Sequence, residues 1–201
     1  MQPKIVVEDA KVVHGEAYKL AGKYFNEQVD STSSQQVFFP GGTPDVYWQP
    51  YYCDYVCIYL ANKPKFRNEK SYARGMIAQI KFLDNSGDVC GEEYFGRWGD
   101  IQPPPTLSVN QSIRDLLKAD IESSGLPKRL NVAVIRKNDK TVYGFGFFDQ
   151  EDTGFANPKL KFEKSKYSIV LKLSGDNIED TEYEFVLENK EGSLSMKIAA
   201  E

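Results

Sequence analysis

The sequence predicts a mainly β protein, an antiparallel β-sandwich preceded by a short N-terminal appendage. Two late segments carry this prediction. Apolar residues occupy every second position of 167–173 and again of 183–187, and a polar turn with Gly175 separates the two segments. Because side chains alternate across a pleated strand, each segment has one apolar face. Two such segments around a polar turn are typical of antiparallel strands that bury one side of a sheet.

The N-terminal residues 4–29 allow two interpretations. Apolar residues follow helical spacing from Ala10 to Tyr24, and Asp9 is placed to cap a helix. Gly15 and Gly22 oppose a helix, since each costs about 1 kcal/mol relative to alanine. A helix and extended segments both stay open. A polar stretch and a Pro-Gly-rich turn follow up to residue 44. We therefore divide the chain into an appendage and linker, residues 1–44, and a sandwich domain, residues 45–201.

The remaining elements are predicted from alternation and turn residues. An amphipathic pattern predicts one short helix over 112–121 that crosses between sheets. Because strands do not alternate regularly with helices, a doubly wound or barrel α/β fold is disfavoured. The predicted strands, besides the two late segments, are 55–62, 73–84, 89–95, 129–137, 141–148 and 193–198.

Composition narrows the classes of protein. A formal net charge of -4 disfavours binding to a nucleic-acid backbone. No apolar run approaches the roughly 20 residues that cross a bilayer, and the N-terminus lacks the pattern of a signal peptide. The three cysteines, Cys53, Cys57 and Cys90, are an odd number, which suits a reducing compartment. We expect a cytoplasmic protein as the sequence is written; a domain excised from a larger protein is the alternative.

Three stretches resemble parts of known sandwich domains. The run Lys164–Leu171, in which a tyrosine opens an alternating Val/Ile strand, is similar to the late strand of immunoglobulin-like and fibronectin-type sandwiches. Residues Tyr55–Asn62 and Ile77–Asp84 resemble an early strand pair of such domains. The cysteine–tryptophan–cysteine core of antibody domains is absent from the sequence. The resemblance implies an immunoglobulin-like architecture without membership of a named family, and it transfers no function.

Catalytic signatures are missing from the sequence. It contains no phosphate-binding loop of the Walker type, no nucleophile elbow and no H-E-x-x-H helix. His14 is the only histidine, so a zinc site of the usual Cys/His type is disfavoured. Asp84–Asp88 fits a β-turn better than a calcium loop, because Phe95 stands where the bidentate glutamate belongs. We predict no catalytic residue, no metal and no cofactor.

Aromatic residues are the strongest candidates for binding. Four rings surround Pro50, and Gly96 and Gly99 flank an Arg-Trp pair. Exposed rings offer a large contact area at low entropic cost, and rings also fill the ends of sandwich cores. Core packing and a recognition surface are therefore both open for these residues. The predicted partner-binding residues are Tyr47, Trp48, Tyr51, Tyr52, Arg97 and Trp98.

These observations favour a non-catalytic binding or assembly module that recognises a protein or a glycan. A homo-oligomer is compatible with this function, because unpaired edge strands invite self-association. Two alternatives stay open. One is a carbohydrate hydrolase whose paired carboxylates are not recognisable from their spacing in the sequence. The other is a structural component of a virion or of a surface assembly.

Overall fold

The described part of the molecule is built from β-strands. The computed structural model describes residues 3–22, 46–63, 71–99, 117–136, 140–145 and 160–199. No helix of the chain as described has the length and hydrophobicity that crossing a membrane requires. The strands are β1 (Ile5–Gly22), β2 (Val46–Asn62), β3 (Tyr72–Leu83), β4 (Val89–Phe95), β5 (Arg97–Trp98), β6 (Ala119–Glu122), β7 (Lys128–Arg136), β8 (Val142–Gly144), β9 (Lys161–Phe162), β10 (Lys166–Ser174), β11 (Thr181–Lys190) and β12 (Ser193–Ile198).

The strands form two antiparallel sheets. The first sheet has the order β1-β2-β7-β8-β9, with β5 also paired to β7. The second has the order β12-β11-β10-β3-β4, with β6 also paired to β3. The prediction of a mainly β, antiparallel protein is confirmed. The late pair of strands is the β10–β11 pair, in which Tyr167 lies opposite Leu187 and Leu171 opposite Tyr183.

One hydrophobic cluster joins the two sheets. Strand β2 contributes Val56, Ile58 and Leu60, while β3 and β10 contribute side chains from the other sheet. At its centre the rings of Phe82 and Phe162 stack with centroids 4.0 Å apart and planes 13° apart. The alternation seen in the sequence arises because every second side chain of these strands enters this shared interior.

The N-terminal segment is a strand and not a helix. Strand β1 pairs with β2 along its whole length, from Ile5 opposite Asn62 to Gly22 opposite Val46. The helical interpretation, which depended on apolar spacing and on Asp9 as a cap, was wrong for residues 5–22, and residues 23–29 lie outside the described part of the chain. The segment carries several β-branched residues that suit a strand, and β2 supplies a hydrogen-bonding partner distant in sequence. The proposed boundary between residues 44 and 45 lies outside the described residues.

The helix predicted over 112–121 is also wrong in its described part. Residues Ala119–Glu122 form β6, which places Ala73 of β3 opposite Ile121. Residues 112–116 lie outside the described part of the chain. The apolar residues Ala119 and Ile121 are two apart, and both are buried as inward positions of a strand. The sequence window was too short to distinguish that period from a helical one.

A buried asparagine connects three segments near the end of β2. The amide nitrogen of Asn62 donates to the carbonyl and hydroxyl oxygens of Ser71 and to the carbonyl of Ile121, at 3.0 to 3.1 Å. Buried amides require such partners, because an unsatisfied donor is costly. Asn62 therefore ties the end of β2 to the start of β3 and to β6.

Candidate functional site

The four predicted site residues around Pro50 lie on strand β2. Tyr47 and Trp48 lie opposite Ala21 and Leu20 of β1, and Tyr51 and Tyr52 lie opposite Ala17 and Glu16. These statements concern the backbone, since the side chains of 46–52 lie outside the described residues. The structure thus assigns the aromatic segment to a strand.

The aromatic segment belongs to a two-stranded extension of the first sheet. The pairing of β2 with β7 begins at Cys53, which lies opposite Arg136. Before that point, residues 46–52 of β2 pair only with residues 16–22 of β1, as far as the described ranges show. We call this two-stranded segment the ribbon. Seven residues of strand correspond to about 24 Å, and this is how far the ribbon continues past Arg136, the last residue of β7 among the described residues.

Arg97 and Trp98 lie side by side on β5 but face opposite ways. Trp98 is 0% exposed and belongs to the central cluster, where its indole N–H donates to the carbonyl of Leu117 at 3.0 Å. A ring without exposed surface cannot contact a partner. Arg97 lies on the outer face of the first sheet, with its guanidinium 5.2 Å from the centroid of Phe145.

The register places Arg97 apart from the aromatic segment. Arg97 lies opposite Asn131 of β7, and Asn131 lies opposite Cys57 of β2. Tyr52 is five residues from Cys57 along β2, which corresponds to about 17 Å, and Tyr47 is about twice as far. The predicted site residues therefore occupy three places in the fold: the ribbon, the outer face of the first sheet and the core.

The outer face of the first sheet holds a second, smaller hydrophobic cluster. It consists of Cys53, Val134 and Phe145, with Tyr55 and Tyr143 packed against it. The rings of Tyr55 and Phe145 meet edge to face at 5.5 Å. The sequence-based prediction did not include this cluster. It could have been recognised from positions 53, 55 and 57, which share one face of a strand whose other face enters the central core.

Polar groups border this second cluster. Cys57 is fully buried, and its thiol donates to Oδ1 of Asn131 at 3.4 Å. Burial raises the pKa of Cys57 to about 11, although the positive charges of Arg129 and Lys11 oppose the shift. Burial also raises the pKa of the Tyr55 phenol and lowers the pKa of Arg97. At neutral pH these groups are a thiol, a phenol and a guanidinium cation, so Cys57 is a poor nucleophile.

We expect only one of the three cysteines to react quickly in the folded protein. Cys53 and Cys57 are buried and Cys90 is partly exposed. A colorimetric thiol reagent at neutral pH should therefore modify one thiol per chain rapidly and all three in denaturant. Cys90→Ser is the control and should abolish the rapid phase. Rapid reaction of a second thiol would show that the outer face of the first sheet opens readily.

The remaining polar candidates are occupied by structural contacts. His14 is exposed, and its Nδ1 lies 2.5 Å from Oδ1 of Asp54 on the paired strand. Asp84 accepts hydrogen bonds from the backbone N–H groups of Ser86 and Asp88 and pairs with Lys164 at 2.5 Å. Within the described ranges, no three His, Cys, Asp or Glu side chains are grouped to hold a metal ion.

Comparisons of the chain with known proteins found no similar protein. No protein-family model matches the chain, and neither a search of curated proteins nor one of solved structures found a match. The ribbon and the outer face of the first sheet are therefore the features that bear on function.

Proposed function

We propose that this chain is a non-catalytic binding or assembly module whose ribbon recognises a protein partner. The observation that carries the proposal is the two-stranded extension that bears Tyr47, Trp48, Tyr51 and Tyr52. A two-stranded ribbon is marginally stable by itself in water, so further contacts favour its formation. Four rings on seven residues supply the contact area that protein interfaces commonly use.

The edge of β1 supports a protein partner rather than a glycan. Within the described part of the chain, β1 pairs only with β2, and its other edge forms no ladder. An unpaired edge presents backbone N–H and C=O groups in a row, which is the arrangement that a strand of another protein can extend. Rings on the same ribbon would then give specificity. A structural component of a larger assembly is one form of this function.

Two further sequence-based predictions stand beside this proposal. The immunoglobulin-like character of the sandwich is one, and superposition of an experimental structure on such domains would test it. The carbohydrate hydrolase is the other. It stays a prediction from the sequence, because no contact of the described residues favours it.

We expect Trp48→Ala to weaken partner binding at least tenfold, because buried tryptophans dominate many interfaces. A second copy of the chain is the first partner to test, by sedimentation velocity over a hundredfold range of concentration. Tyr72→Ala is the matched control, since Tyr72 is an exposed aromatic residue of the second sheet. It should leave association unchanged.

Two further arms make the experiment decisive. A glycan array distinguishes a glycan ligand from a protein partner. If the wild-type protein binds a sugar and Trp48→Ala abolishes that binding, the ligand of the ribbon is a glycan and not a protein. The chain has two tryptophans, so Trp98→Phe leaves Trp48 as the only reporter of ribbon contacts. A protein that stays monomeric, binds no glycan and shows concentration-independent Trp48 emission would contradict the proposal.

A further inference from the structure

Arg129 lies on the outer face of the first sheet, in the strand next to β2. It is on β7 opposite Tyr59 of β2, and its carbonyl accepts a hydrogen bond from the N–H of Gly99 at 2.7 Å. Gly99 follows β5 directly, so the guanidinium of Arg129 is positioned by two neighbouring segments. Neither Arg129 nor Gly99 has a role in the proposed ribbon contacts.

Gly99 leaves the space that the guanidinium occupies. A Cβ atom added at Gly99 would lie against Nε of Arg129 and 3.1 Å from both Cζ and Nη2. These distances are tighter than ordinary van der Waals contacts, so any other residue at position 99 would displace the guanidinium. Because Gly99 has no side chain, the guanidinium of Arg129 can lie directly against its backbone; we call this space the cradle.

The guanidinium in this cradle is incompletely satisfied. Its Nε is buried and has no hydrogen-bond partner in the described part of the chain. A buried donor without a partner is unfavourable. Arg129 as a whole is partly exposed, so other atoms of its side chain remain within reach of solvent.

A second cation flanks Arg129. Arg97 lies opposite Asn131, two residues along β7 from Arg129 and on the same face. Diagonal neighbours of this kind are roughly 7–8 Å apart, so the positive charge of Arg97, whose guanidinium lies over the ring of Phe145, is close to Arg129. Lys11 lies on β1 opposite Cys57. Its ammonium pairs with Asp9 at 2.6 Å, so its charge is already compensated.

We propose that Arg129, flanked by Arg97, is the binding site for an oxyanion group, either a phosphate or a carboxylate. A guanidinium offers planar N–H groups that match the oxygens of such groups. The half-buried setting strengthens the attraction relative to an exposed arginine, since water screens it less. The anion would supply the counter-charge that the described residues do not provide for Arg129.

The test uses inorganic phosphate as the probe and the melting temperature of the full chain as the readout. Phosphate is titrated at constant ionic strength, with chloride as the balancing anion. An anion that binds only the folded state raises the melting temperature. We expect a saturable rise for the wild-type protein and at least a tenfold weaker apparent affinity for Arg129→Met. Arg74→Met is the matched control, because Arg74 is an exposed arginine on β3 of the second sheet, and its titration should equal that of the wild type.

A second measurement on the wild-type protein does not depend on any variant folding. The backbone amide resonances of Gly99 and Arg129 should shift with phosphate along the same saturation curve. Parallel titrations with acetate identify the source of the anion, phosphate or carboxylate, by the tighter response. Equal melting shifts in the wild type, Arg129→Met and Arg74→Met would reflect a general salt effect and overturn the proposal. Amide resonances that do not move with either anion would also overturn it.

Discussion

Replacement of Trp98 by alanine is expected to lower the free energy of unfolding by about 3–5 kcal/mol. The indole is 0% exposed, and its N–H donates to the carbonyl of Leu117 at 3.0 Å. The substitution removes the largest fully buried side chain among the described residues and leaves that carbonyl without its donor. The loss would appear as a lower midpoint in urea denaturation with little change in slope.

Two variants define this result. Phe95→Ala is the control, because Phe95 is 44% exposed and only three residues from Trp98. It should change stability by less than about 1 kcal/mol. Trp98→Phe keeps most of the apolar volume and loses the N–H donor, so its effect should be intermediate. A Trp98→Ala protein as stable as Phe95→Ala would show that Trp98 is not a core residue.

Replacement of Phe82 by alanine should cost a similar amount, about 3–5 kcal/mol. Phe82 is 1% exposed, stacks on Phe162 and meets the ring of Tyr167 edge to face at 5.9 Å. The substitution would leave a cavity between the two sheets, because Phe82 packs against the rings of Phe162 and Tyr167 in the shared core. Thermal or chemical denaturation measures the loss.

A double-mutant cycle tests the stacking itself. Phe82→Leu and Phe162→Leu retain apolar volume, so their coupling isolates the ring contact and should reach about 0.5–1.5 kcal/mol. Tyr72→Ala on the same strand is the control for Phe82→Ala, since Tyr72 is 44% exposed. Additive effects of the two leucine variants would argue against direct stacking.

The β10–β11 pair shows how much a local pattern can predict. Residues 167–174 and 182–188 were expected as antiparallel strands, and the structure has Lys166–Ser174 and Thr181–Lys190. The strand expected over 73–84 is observed as Tyr72–Leu83. In each of these strands one face is apolar over several consecutive pairs of residues, so the two-residue period of a β-strand is unambiguous.

The N-terminal segment shows where a local pattern fails. Its apolar spacing fits both the helical and the strand period. The decisive contact is the pairing with β2, in which partners such as His14 and Asp54 are 40 residues apart in the sequence. Trp98 shows a second limit. The sequence left core packing and a recognition surface both open for Trp98. Adjacent residues of a strand face opposite sides of the sheet, and the side that Trp98 faces is the core.

The alternation of apolar and polar residues was enough to predict a mainly β, antiparallel protein, because every second side chain of such a strand avoids water. Three features could be seen only in the folded protein: residues 5–22 join the first sheet, Trp98 is buried, and the guanidinium of Arg129 lies against Gly99. These features arise from register between strands distant in the chain, and register depends on the shared interior rather than on any local run of residues.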